Sequence, residues 1–136
     1  MIDLFNEDTE ELQKAITEKN KKKLEVMEKF KSEYYQSIKE NEDEAKKSIM
    51  KFDNIKKHKF RKIEEGEVED IDEILIELAQ GLEELKDELM NTELEFIEIE
   101  TQSILDFKRL LEEYTADMNE TVTKNLEKYR ENVGNF

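Results

Sequence analysis

A chain of 136 residues without cysteine or tryptophan has no route to disulfides, thiolate metal sites or cysteine catalysis. Its net charge of −15 repels nucleic acid, anionic lipid and the acidic tails of tubulin from the molecule as a whole. No proline and only three glycines interrupt it, and 43% charged against 36% hydrophobic residues is a balance that fits either a disordered chain or a coiled coil.

Periodicity decides between the two. Phe5, Ile16, Met27, Ile38, Ile49 and Phe60 are apolar and eleven residues apart, as are Ile74, Leu85, Phe96, Phe107, Met118 and Tyr129. Eleven residues in three turns is about 3.67 per turn, close to the straight helix, so each column keeps one stripe pointed the same way. Disordered tracts carry no such period. Helix one is predicted over residues 6–64, opening within 3–9, where Asp3, Asn6, Asp8 and Thr9 are candidate caps. The run Lys39-Glu40-Asn41-Glu42-Asp43-Glu44 has no apolar residue, which leaves open a solvated stretch or an extra break near 39–45. Gly66 is suited to the left-handed conformation that stops a helix, and a turn is predicted over 65–69. Helix two is predicted over 70–132, with Asp70 and Glu73 as a capping box and Gly134 just past its end.

Charge sets the direction. Residues 46–62 hold eight Lys or Arg and one acid, Asp53; residues 64–100 hold sixteen acids and one base, Lys86. Folding back at Gly66 lays one block along the other, whereas a continuous helix leaves both unpaired. The predicted fold is all-α, an antiparallel two-helix hairpin forming one coiled-coil-like rod over 1–136, with Ile49 near 82–85 and Tyr34 near 97–99. Neither a signal peptide at the N-terminus nor a run of roughly 18 apolar residues points to export or a membrane span, and the expectation is an intracellular protein.

The strip has one anomaly. Leu89, Phe96, Phe107 and Leu111 belong to the main stripe, Ile99 widens it, and Met90, Leu94, Ile97, Ile104 and Leu105 add a second. One facing helix covers an arc of about 100°, so this second stripe is the candidate partner-binding surface. A second copy, a foreign partner helix, or local broadening of helix one through Phe30, Tyr34, Tyr35 and Ile38 are the ways to cover it. A monomer or weak homodimer is expected for the chain alone.

Catalysis finds no foothold. His58, the only histidine, lies in Lys56-Lys57-His58-Lys59 and reads as a solvated helix position; a di-iron bundle needs two Glu-x-x-His pairs. No metalloprotease, P-loop, EF-hand or nucleophile-elbow pattern is present. A two-helix rod is expected to offer no pocket for a working carboxylate pair. No catalytic, metal or cofactor site is therefore predicted, and the function expected is structural docking. The basic stretch 46–62, with Phe52 and Phe60 interleaved, is expected to pair with helix two. The alternative is a generic helical adaptor that docks an acidic partner through this basic end.

The segment Leu89-Met90-Asn91-Thr92-Glu93-Leu94-Glu95-Phe96, then Asp106-Phe107-Lys108 and Tyr114-Thr115-Ala116-Asp117-Met118, resembles the middle coiled coil of the leucine-rich-repeat subunit of the nexin–dynein regulatory complex. Leu4-Phe5-Asn6, Ala15-Ile16 and Lys46-Lys47-Ser48-Ile49-Met50-Lys51-Phe52 fall at similar spacing to its preceding helix, and the resemblance spans residues 3–125. It departs at the hairpin tip, where the family has a proline and this chain has Glu65-Gly66-Glu67. The family's leucine-rich repeats are absent, so the resemblance implies a segment that follows them. It further implies a ciliary or flagellar axoneme location and partners among other coiled-coil or axonemal dynein-associated subunits. Nucleic acid and membrane are not expected partners.

Overall fold

The computed structural model describes residues 2–67 and 70–134, with side chains from residue 6 onward. Two helices, α1 (Ile2–Glu64, 63 residues) and α2 (Ile71–Gly134, 64 residues), pack against each other as a helical hairpin. The side chain of Phe5, first in its column, and the turn residues 68 and 69 lie outside the described residues.

The turn follows from Gly66. Its φ is 71°, a left-handed conformation that costs an L side chain roughly 1–2 kcal/mol and glycine nothing comparable. The backbone N–H of Glu67 donates to the Lys62 carbonyl (3.0 Å) and that of Gly66 to the Ile63 carbonyl (3.1 Å). These two bonds form a Schellman motif, which satisfies carbonyls that the helix end would otherwise orphan. On the far side of the turn, Asp70 Oδ1 accepts the backbone N–H groups of Asp72 (3.0 Å) and Glu73 (3.4 Å), so Asp70 is the N-cap of α2.

Two boundaries differ from expectation. α1 is already helical at Ile2, which places the candidate caps of residues 3–9 inside the helix. Asp8 serves α2 instead, accepting from Asn132 Nδ2 at 2.8 Å. Gly134 is the last residue of α2 rather than the first beyond it. The polar run at 39–45 is unbroken helix, because Asn41 takes the seam position: it is only 7% exposed and its Nδ2 donates to the Thr92 carbonyl at 2.9 Å. A helix needs continuous backbone bonding and a seam residue that is satisfied, not one that is apolar.

The packing separates into two compact units, each built from both helices: a terminal unit (Met1–Glu33 with Ser103–Phe136) and a turn unit (Tyr34–Gln102). A long hairpin makes only neighbouring contacts, so its packing is quasi-one-dimensional. In the turn unit, Lys59 pairs with Glu77, Lys51 with Glu88 (3.5 Å), Asn41 with Thr92, and the Tyr34 hydroxyl donates to Glu100. In the terminal unit, Phe30 meets Phe107 with ring centroids 5.9 Å apart, Lys19 bonds Asp117 (2.8 Å), and Lys128 pairs with Glu11. Tyr34 thus reaches Glu100, next to the 97–99 expected. Gly81 lets the helices approach: a Cβ there would lie 3.2 Å from the Phe52 ring.

The core is thin, as a two-helix strip requires. Ile74 (6% exposed) and Leu78 (8%) are the buried apolar residues described, joined by the polar Asn41 and Asp8. Among the described residues no buried side-chain nitrogen or oxygen lacks a hydrogen-bond partner.

Candidate docking surface

The five residues of the predicted second stripe are all exposed, but the structure groups them differently. Met90 (53%), Leu94 (58%) and Ile97 (51%) belong to the turn unit; Ile104 (67%) and Leu105 (52%) belong to the terminal unit. Each group is therefore described with its own unit.

In the turn unit the contact face of α2 is marked by Ile74, Leu78 and Thr92. At about 100° per residue, Met90, Leu94 and Ile97 fall within a narrow arc on the opposite side of the helix. The broadening of α1 expected through Tyr34 and Tyr35 does not reach them. Tyr34 is spent on Glu100, which holds its hydroxyl above the ordinary tyrosine range, and Tyr35 lies against the Tyr34 ring at 5.5 Å and stays exposed. Phe30, in the terminal unit, packs on Phe107. The strip of three is an apolar face that α1 leaves uncovered.

Its surroundings are acidic. Asp87, Glu93 and Glu98 stand three or four residues from members of the strip, and all three are exposed. Glu95 lies against Glu44 of α1, and this carboxyl–carboxyl hydrogen bond, reinforced by repulsion from Glu44 and Glu98, raises the Glu95 pKa above its ordinary 4.5. A carboxyl whose pKa is raised by folding binds its proton more tightly in the folded chain, so its contribution to stability is least favourable at neutral pH and improves as pH falls through the raised value. Glu95→Gln is therefore expected to raise the melting temperature at about pH 7, with the difference from the parent chain vanishing near pH 4, below the unfolded value. Thermal melts at the two pH values check this; an equal difference at both removes the role assigned to the Glu44–Glu95 pair.

In the terminal unit, Ile104 and Leu105 are followed on α2 by Lys108 and Arg109, which pair with Glu112 and Asp106 respectively. Bases thus accompany this apolar pair, whereas acids border the strip in the turn unit. The terminal unit also holds an open groove of about 270 Å³, contrary to the expectation that a two-helix rod has none. Val26, Met27 and Leu110 line it beside Lys19, Lys23 and Tyr114. Four of its polar side chains are engaged: Lys19 bonds Asp117, Lys23 Nζ lies 4.3 Å from the Tyr114 ring centroid, and the Tyr114 hydroxyl donates to Asn20.

The basic stretch 46–62 is partly consumed by the fold. Lys51 and Lys59 bond acids of α2, while Lys56 and Lys57 turn onto Asp53 and hold its carboxyl below the ordinary range, mainly through the Lys57 hydrogen bond. His58 is exposed on α1. Among the described residues no group of three or more His, Cys, Asp or Glu side chains is placed to hold a metal ion, and no helix is long and apolar enough to cross a membrane.

Asn41 is the residue that the sequence reading missed. The signal was present in its spacing: it stands eleven residues after Phe30 and eleven before Phe52. No family model, curated protein or solved structure matches this chain.

Proposed function

We propose that this chain is a non-enzymatic docking element, a helical hairpin that uses one face of α2 to hold another helix. The observation that carries the reading is the uncovered strip Met90, Leu94 and Ile97, on the opposite side of α2 from its contact with α1. Burying each such side chain is worth roughly 1.5–3 kcal/mol, so a helix laid along the strip gains enough to compete with the cost of association. Ile104 and Leu105 supply a separate apolar pair in the terminal unit.

The resemblance of residues 89–96 and 106–118 to the middle coiled coil of the leucine-rich-repeat subunit supports a more specific setting. In that setting the chain belongs to the nexin–dynein regulatory complex of a ciliary or flagellar axoneme, and its partners are other coiled-coil subunits. A tagged form of the natural protein should then remain with detergent-extracted axonemes and release together with regulatory-complex subunits. Recovery in the soluble fraction instead would remove the axonemal assignment. Salt separates the remaining alternative: an adaptor that docks through residues 46–62 loses its partner steeply as ionic strength rises, whereas an apolar helix contact persists.

A further inference from the structure

The acids around the strip specify what fits it. From Asp87 to Thr101 there are six acids and no base, with Lys86 one turn before Met90. Glu88 and Glu100 bond Lys51 and Tyr34 of α1, and Glu95 meets Glu44, so they belong to the hairpin's own packing. Asp87, Glu93 and Glu98 instead border Met90, Leu94 and Ile97. An apolar ridge with acidic margins presents the two features that a helix-in-groove partner reads, anchors at helical spacing and a flanking charge.

We propose that this face docks an amphipathic helix of another protein, one whose apolar stripe is bordered by lysine or arginine. The inference rests on the docking reading above and adds the chemistry of the partner. A second copy of the chain is a poorer occupant. Strip against strip sets acids against acids. In the same unit α1 exposes Tyr35, Ile49, Met50, Ile55 and Phe60. At about 100° per residue only Met50 stands directly opposite the seam position Asn41, among Lys46, Lys47 and Lys57, so the outer face of α1 has no apolar stripe to match.

Two synthetic amphipathic helices test this against the full chain: the same leucine stripe bordered by lysines in one and by glutamates in the other, with binding followed by fluorescence anisotropy at physiological salt. The lysine-bordered peptide should bind at least about tenfold more tightly. Leu94→Glu with Ile97→Glu should abolish that binding while helicity is retained. A merely electrostatic attraction to this acidic chain would survive those substitutions or grow stronger, and that result overturns the proposal. Glu93→Lys with Glu98→Lys, which leaves the apolar strip intact, should shift preference towards the glutamate-bordered peptide; an unchanged preference also overturns it. Equal binding of both peptides, lost on Leu94→Glu with Ile97→Glu, refutes the charge assignment while sparing the docking reading. Binding of neither peptide refutes both. Micromolar self-association that Leu94→Glu with Ile97→Glu removes would make a second copy the occupant and refute the proposed partner.

Discussion

Leu78→Ala is expected to destabilise the hairpin by about 2–3 kcal/mol, and Leu94→Ala by less than about 0.5. The two leucines lie on the same helix and differ in what they face. Leu78 is 8% exposed in the seam, where with Ile74 it forms the buried apolar part of the described core. Truncating it removes contacts on both sides and leaves a void that two helices cannot easily close. Leu94 faces away from α1, and alanine there loses little burial while keeping the better helix propensity. The expected cost at Leu78 lies at the low end for leucine truncation because a strip surrounds its core residues less completely than a globule does. Urea unfolding followed by circular dichroism measures both values. Equal losses would mean that the outer strip is core, and the docking surface would have to be placed elsewhere.

The second large effect is expected at Asn41, with the opposite sign. Asn41→Leu should stabilise the folded chain by about 1–2 kcal/mol, since a satisfied buried polar group contributes less in a seam than a packed aliphatic one. The asparagine amide bonds one particular carbonyl, Thr92, so a slide of α1 along α2 costs that bond and buries an unpaired amide. Leucine penalises no such slide. Cysteines placed at 51 and 88, where Lys51 meets Glu88, and joined by a short bifunctional maleimide report the alignment: crosslinking should be fast and complete with Asn41 and slower or incomplete with leucine. A less stable Asn41→Leu chain with unchanged crosslinking would show that the amide contributes stability rather than alignment.

What could be read from the residues depended on whether a local rule governed them. Gly66 and Asp70 were legible because a left-handed stop and an N-cap each demand particular residue types. The exposure of Met90, Leu94 and Ile97 was legible because helical spacing places them outside the arc that one neighbour covers. Asn41 was obscured by the acids around it, although its eleven-residue relation to Phe30 and Phe52 marked a seam position. That the Tyr34 hydroxyl meets Glu100 in particular depends on how two facing side chains extend, which spacing along one helix leaves open. Spacing alone linked Ile104 and Leu105 to the other three; their separation into the terminal unit is a property of packing between helices. The groove beside Tyr114 is likewise a gap between side chains from two helices, for which no residue pattern is diagnostic.

The Schellman turn at Gly66 has a consequence for the order in which the chain assembles. Joining Asp8 to Asn132 directly closes a separation of 124 residues, and joining Asn41 to Thr92 closes one of 51. Lys59 and Glu77 face each other across the turn itself. Closure entropy rises with the logarithm of the loop, so the first pairing is least costly at the turn, and every pair formed there leaves only a short stretch to close for the next. Contacts distant in sequence thereby become local in sequence of events. A topology with high average separation can then fold by successive small closures, provided that the left-handed residue at its apex forms first.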